Sequence, residues 1–132
     1  FMKKLFALSV ILTALVFLTE SQAQTPVKTD GAEITFTTKT HDFGEISLNT
    51  PVSFEFEFTN TGNEPLIIDK IQKPCSCQEA EYPKQPILPG KSGIIKTQYS
   101  ANKLGSFNKM YTVFSTASND IVRLVLKGTV VK

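Results

Sequence analysis

Tryptophan is missing from this chain, histidine occurs once as His41, and cysteine occurs only at Cys75 and Cys77. So little histidine works against a closed zinc centre, which wants about four nitrogen or sulfur ligands. Two thiols, one imidazole and carboxylates without a recognisable spacing do not supply that set. Both cysteines lie in one short stretch, so the inter-sheet disulfide and packed tryptophan of antibody domains are excluded. An excess of one charge is missing too. The 14 Lys and Arg against 12 Asp and Glu give a net charge of +2, and removing Lys3, Lys4 and Glu20 lowers it to +1. That balance speaks for neither a nucleic-acid partner nor an anionic membrane surface. No stretch shows convincing helical periodicity.

Long apolar runs are also scarce: the one present is Leu5 to Leu18, interrupted by Ser9 and Thr13. It follows the basic Met2-Lys3-Lys4 and precedes Ser21-Gln22-Ala23, the order of a secretory signal peptide cleaved after Ala23. Its apolar core of about 14 residues falls short of the ~20 that a spanning helix needs. Phe1, ahead of the methionine, is left out of that reading. Residues 1–23 are thus expected to be a signal peptide, 24–31 a flexible leader, and 32–132 one domain. A periplasmic or secreted location follows, with no integral membrane segment after cleavage. With no cysteine near the cleavage point, a lipid anchor is not expected. A domain of this size buries roughly 60–70% of its unfolded surface, enough for a core without staples.

What the chain does have is phenylalanine, ten in all. Val52, Phe54, Phe56 and Phe58 alternate with Ser53, Glu55, Glu57 and Thr59, the period of a strand with one dry and one wet face. Asn60-Thr61-Gly62-Asn63 supplies residues that tolerate positive φ, so a hairpin into a strand over Leu66 to Lys73 is expected. Ile34 and Phe36 alternate within an earlier strand, and His41 to Ile46 reads as its continuation after a bend, with a bulge or close backbone approach at Gly44. Gln78 to Tyr82 reads as a short strand. Gly93 to Ser100 turns Ile95, Thr97 and Tyr99 one way, and Phe107 to Ser115 turns Phe107, Tyr111 and Val113 inward. Ile121 to Val131 buries Val122, Leu124, Leu126 and Val130, and Gly128 stands where a side chain has no room or the strand bends. About seven short strands separated by Gly, Pro and Asn turns predict an all-β, immunoglobulin-like antiparallel β-sandwich.

Cys75-Ser76-Cys77, stopped off from the preceding strand by Pro74, is the candidate site. Three chemistries are open to it. Cα atoms at i and i+2 lie about 5.5–7 Å apart, at the upper edge of what a disulfide accepts, so a tight local disulfide is one. So small a loop stabilises much less than the ~3 kcal/mol of a 15-residue loop. Two thiolates on one exposed turn could instead share a soft Cu(I) ion, or pair with another protein's thiol.

Other constellations carry less. His41-Asp42 lacks a nucleophile and a third orienting group, and is expected at the surface. Pro89-Gly90-Lys91-Ser92-Gly93 lacks the first glycine and the following helix of a phosphate loop, and reads as a turn. Glu55 and Glu57 sit on the wet strand face, where they serve solubility and edge protection. No catalytic residue and no cofactor is expected.

Phe56 to Ile68, Pro74-Cys75-Ser76-Cys77, Pro86 to Gly93 and Gly105-Ser106-Phe107-Asn108-Lys109 together resemble the domain-of-unknown-function 1573 family, from about His41 to Val130. These are exported bacterial proteins with a Cys-Gly-Cys or Cys-Ser-Cys turn, which Cys75 and Cys77 match. The chain departs from the family pattern at Gln78, where threonine is frequent, and at Thr116, where asparagine is common. The resemblance implies likeness to immunoglobulin-like domains of ciliary and centrosomal proteins and to major sperm protein, hence a binding or scaffolding role without catalysis. The leading expectation is a non-catalytic module that binds an unknown protein partner through a sheet edge or loop. The alternative is a thiol-redox or Cu(I)-handling protein using Cys75 and Cys77.

Overall fold

The computed structural model describes residues 30–76 and 78–132. The expected signal peptide, residues 24–29 of the leader, and Cys77 lie outside the described residues. Eight strands follow in order: β1 (Ile34–Phe36), β2 (Thr40–Ser47), β3 (Val52–Asn60), β4 (Ile68–Gln72), β5 (Glu79–Glu81), β6 (Ser92–Tyr99), β7 (Gly105–Ser115) and β8 (Ile121–Val131). They form two four-stranded sheets, β1-β3-β6-β5 and β2-β8-β7-β4. No helix occurs among the described residues.

The inner faces are those that the alternation predicts. Phe56 and Phe58 of β3, Ile95, Thr97 and Tyr99 of β6, Tyr111 and Val113 of β7, and Leu124 and Leu126 of β8 are all buried. Each large apolar side chain so placed stabilises the fold by roughly 1.5–3 kcal/mol relative to exposure. Glu55 and Glu57 point to solvent, as expected. Gly128 is required by close approach: a Cβ there would lie 2.8 Å from the Gly44 carbonyl oxygen and 2.9 Å from the Phe107 ring.

Three expectations need correction. The sandwich is not wholly antiparallel, because β2 runs parallel to β8. Nor is β2 a bent continuation of β1. The Thr37 amide still donates to Glu57 in the first sheet (3.0 Å), whereas the Lys39 carbonyl already accepts from Val125 in the second (2.8 Å). The chain changes sheets within two residues, and that crossing makes a parallel pair with the last strand. Within β2 the register slips between Asp42 and Glu45, at Gly44 with φ +66°, where the Asp42 carboxylate accepts the Gly44 amide at 2.8 Å.

The third correction concerns β3 and β4, which do not form a hairpin. β3 pairs with β1 and β6, and β4 with β7, so residues 60–67 cross between the sheets. None of Asn60, Thr61, Gly62 and Asn63 has positive φ. Asn60 is instead fully buried, donating to the carbonyls of Glu64 (2.7 Å) and Ile87 (2.8 Å) and accepting the amides of Gly62 (3.0 Å) and Glu33 (3.4 Å). A Cβ on Gly62 would collide with the backbone of residues 31–33. A tight-turn composition here serves a crossing packed against β1.

Candidate functional site

The cysteine turn joins β4, an edge strand of one sheet, to β5, an edge strand of the other. It therefore closes one lateral seam of the sandwich. Farther along that seam the Tyr82 hydroxyl donates to the Asp69 carbonyl (3.4 Å). No described cysteine is free. Cys75 is half-buried and Ser76 exposed.

Gln78, one of the positions where the sequence leaves the family pattern, anchors the turn. It is 1% exposed, and its amide donates to the Cys75 carbonyl at 3.2 Å. Its side-chain oxygen lies 3.4 Å from the Tyr111 hydroxyl, which also donates to the Gln98 carbonyl at 2.9 Å. Burial, and secondarily the charge of Glu79, push the Tyr111 phenol up to about 12. Sequence reasoning placed Gln78 only at the start of a short strand. A polar residue there gives no signal that it turns inward, because its partner, Tyr111, is 33 residues away.

Beside this anchor the seam is open. β4 pairs with β7 only from Ile68↔Ser115 to Gln72↔Thr112, while β7 extends back to Gly105. Among the described residues, the Gly105–Met110 backbone pairs with β8 alone. That uncovered edge borders a cleft of about 260 Å3 lined by Gln78, Tyr99, Asn102, Lys103, Leu104 and residues 106–109. Tyr99 and Phe107 stack at its floor, with ring centroids 4.0 Å apart. The Lys109 ammonium lies 6.0 Å from the Tyr99 ring centroid.

The other sheet edges are blunted. On β1 the Asn119 side chain accepts the Ile34 amide (3.1 Å) and donates to the Ile34 carbonyl (2.8 Å), standing in for a neighbouring strand. β5 is three residues long and carries Glu79 and Glu81. β2 is broken by its bulge, and β4 by a register shift between Ile68 and Lys70. Such devices keep edges from pairing with stray chains.

The remaining sequence candidates do not join the turn. His41 is half-buried rather than a surface residue. Its ring stacks on Phe54 (centroids 3.8 Å apart) and meets the edge of Phe43 (4.6 Å), linking β2 to β3 of the facing sheet. Of residues 89–93, Pro89 and Gly90 form the expected turn, with Gly90 at φ +78° donating to the Asn60 carbonyl, whereas Ser92 and Gly93 already belong to β6. Thr116, the other departure from the family pattern, accepts the Ile67 amide through its hydroxyl at 3.0 Å. No group of three or more His, Cys, Asp or Glu side chains among the described residues is arranged to hold a metal ion. No described helix is long and apolar enough to cross a membrane.

Solved structures share this architecture at low identity. A protein of unknown function from Porphyromonas gingivalis W83 matches with a TM-score of 0.66 and 16% identity, over 80% of this chain and 51% of that one. The chain thus spans about half the length of that relative. An ASH/PapD-like domain of human CEP192 matches with a TM-score of 0.66 and 8% identity, over 82% of this chain and 92% of that one. The YadV chaperone matches with a TM-score of 0.53 and 15% identity, over 76% and 53%. At these identities the likeness is one of fold, immunoglobulin-like and PapD-like. No curated protein matches by sequence. The family model that does match covers residues 34–130, with the cysteine turn and all eight described strands but the last residue of β8 included, and the chain belongs to that family, DUF1573, a protein family of unknown function.

Proposed function

We propose that this chain is an exported, non-catalytic module of the cell envelope that binds another protein along a sheet edge. The observation that carries the reading is the β7 backbone over Gly105–Met110, which among the described residues pairs with β8 alone, in a sandwich whose other edges are capped, short or bulged. A strand edge left open beside a lined cleft suits an extended peptide, whose main chain supplies affinity and whose alternate side chains supply specificity. Export rests on the signal-like residues 1–23, with cleavage after Ala23.

A thiol-based role is the second reading, favoured by the two cysteines of the Cys75-Ser76-Cys77 turn and by the finding that no described cysteine is free. In it Cys75 and Cys77 are a disulfide that another protein's thiolate attacks, forming a mixed disulfide and releasing one cysteine as thiolate. Cu(I) would need both thiols reduced first. Cross-linking in the exporting cell followed by capture, with and without reductant, separates the two. A partner retained under reductant and lost when residues 105–110 are covered supports edge binding. A partner released by reductant overturns it in favour of the thiols.

A further inference from the structure

We propose that the open edge of β7 takes an acidic extended segment of another protein, added as a strand where β4 stops short. The proposal rests on the protein-binding reading and names the partner's chemistry. Six residues of strand that no described residue covers, Gly105–Met110, present about 20 Å of backbone, enough for several ladder bonds. The cleft alongside is one-sided in charge. Lys103 and Lys109 line it, and no Asp or Glu does so among the described lining residues. Ser106 and Asn108 add neutral polar groups. Leu104, 44% exposed, and the Tyr99–Phe107 stack give an apolar floor. A segment alternating carboxylates with apolar residues matches all three features, its carboxylates reaching the lysines and its apolar side chains the floor. Like-charged segments are disfavoured at the same place, so the lysines discriminate between partners as well as attract them.

The test uses the isotope-labelled chain from Gln24 and three octapeptides: alternating glutamate and valine, alternating lysine and valine, and the glutamate peptide with a central proline. Amide shifts and hydrogen-exchange protection are read residue by residue. The expected result is new protection by the glutamate peptide alone, at the amides within Gly105–Met110 that point away from β8. The affinity of that peptide should fall about tenfold in the Lys103→Glu, Lys109→Glu double variant, with the lysine peptide now binding. Equal binding of the lysine and glutamate peptides at this edge overturns the acidic partner while leaving edge binding intact. If no peptide protects residues 105–110, strand addition here is wrong. If the amides pointing away from β8 are already protected without peptide, a concentration dependence identifies a second copy as the occupant. Loss of that protection on deleting residues 24–29 identifies the leader instead. Either outcome overturns the proposal.

Discussion

Asn60 shows how one buried amide can decide where a chain goes. Its composition-mates Thr61, Gly62 and Asn63 read as a hairpin tip, but its four hydrogen bonds reach Glu33 just before β1, Ile87 between β5 and β6, and its own crossing. Tyr111 plays a comparable part under the cysteine turn, and its acidity makes that part measurable. The phenol ordinarily titrates near 10 and is pushed up to about 12 in the fold. Because the folded value is raised, the neutral phenol's contribution is complete below pH 10 and is lost as pH rises from 10 towards 12. Tyr111→Phe should therefore cost about 1 kcal/mol at neutral pH, through loss of the bond to the Gln98 carbonyl. The gap to the unmodified protein should narrow above pH 10, because the variant has no phenol to ionise at this position. Urea unfolding of both proteins between pH 7 and 11 checks this, and a gap constant with pH would contradict the burial of the hydroxyl.

Among the elements, what alternation alone decides was legible and what depends on neighbours was not. The inward faces of β3, β6, β7 and β8 follow from period-two spacing, since burial of Phe, Ile and Leu dominates each strand. The change of sheet after β1 left a trace that a one-strand reading passes over. Ile34 and Phe36 face inward at even positions, whereas His41 and Phe43 pack from odd ones, so the phase shifts between them. The partner of each strand left no such trace, because pairing joins residues far apart in the chain. For that reason the parallel β2–β8 pair, the β3–β4 crossing and the short reach of β4 along β7 were unreadable, and with them the open edge. Cys75 and its turn were visible as a motif, but Gln78 and the cleft were not. Asn119 was equally silent, sitting in a loop whose composition says only turn. Its bidentate contact with Ile34 predicts that Asn119→Ala bares both backbone groups on the outer edge of β1. The Ile34 amide should then exchange at least about tenfold faster, with a stability loss of about 1–2 kcal/mol and a tendency to associate at high concentration. Exchange measured by NMR and sedimentation across a dilution series are the checks. Unchanged exchange at Ile34 would mean that the β1 edge is closed by something else.

At the scale of the whole molecule, the two sheets are held by a shared interior and by several crossings, at residues 37–39, 48–51, 60–67 and 100–104 as well as at the cysteine turn. The turn is thus one fastener among several, on the side where the seam is otherwise open. A disulfide between Cys75 and Cys77 would close a loop of three residues, which removes little freedom from the unfolded chain. Replacing both cysteines by serine should accordingly lower stability by only about 1–2 kcal/mol, with an unchanged dependence on denaturant and an unchanged β-sheet circular dichroism spectrum. Reductant should reproduce that shift in the unmodified protein and do nothing to the double variant. Edge binding at β7 should survive in both, since its backbone is held by β8 rather than by the turn. A loss well beyond 3 kcal/mol, or loss of octapeptide binding in a double variant that still folds, would make the turn the clamp that shapes the β7 edge, and sulfur chemistry would then control partner capture.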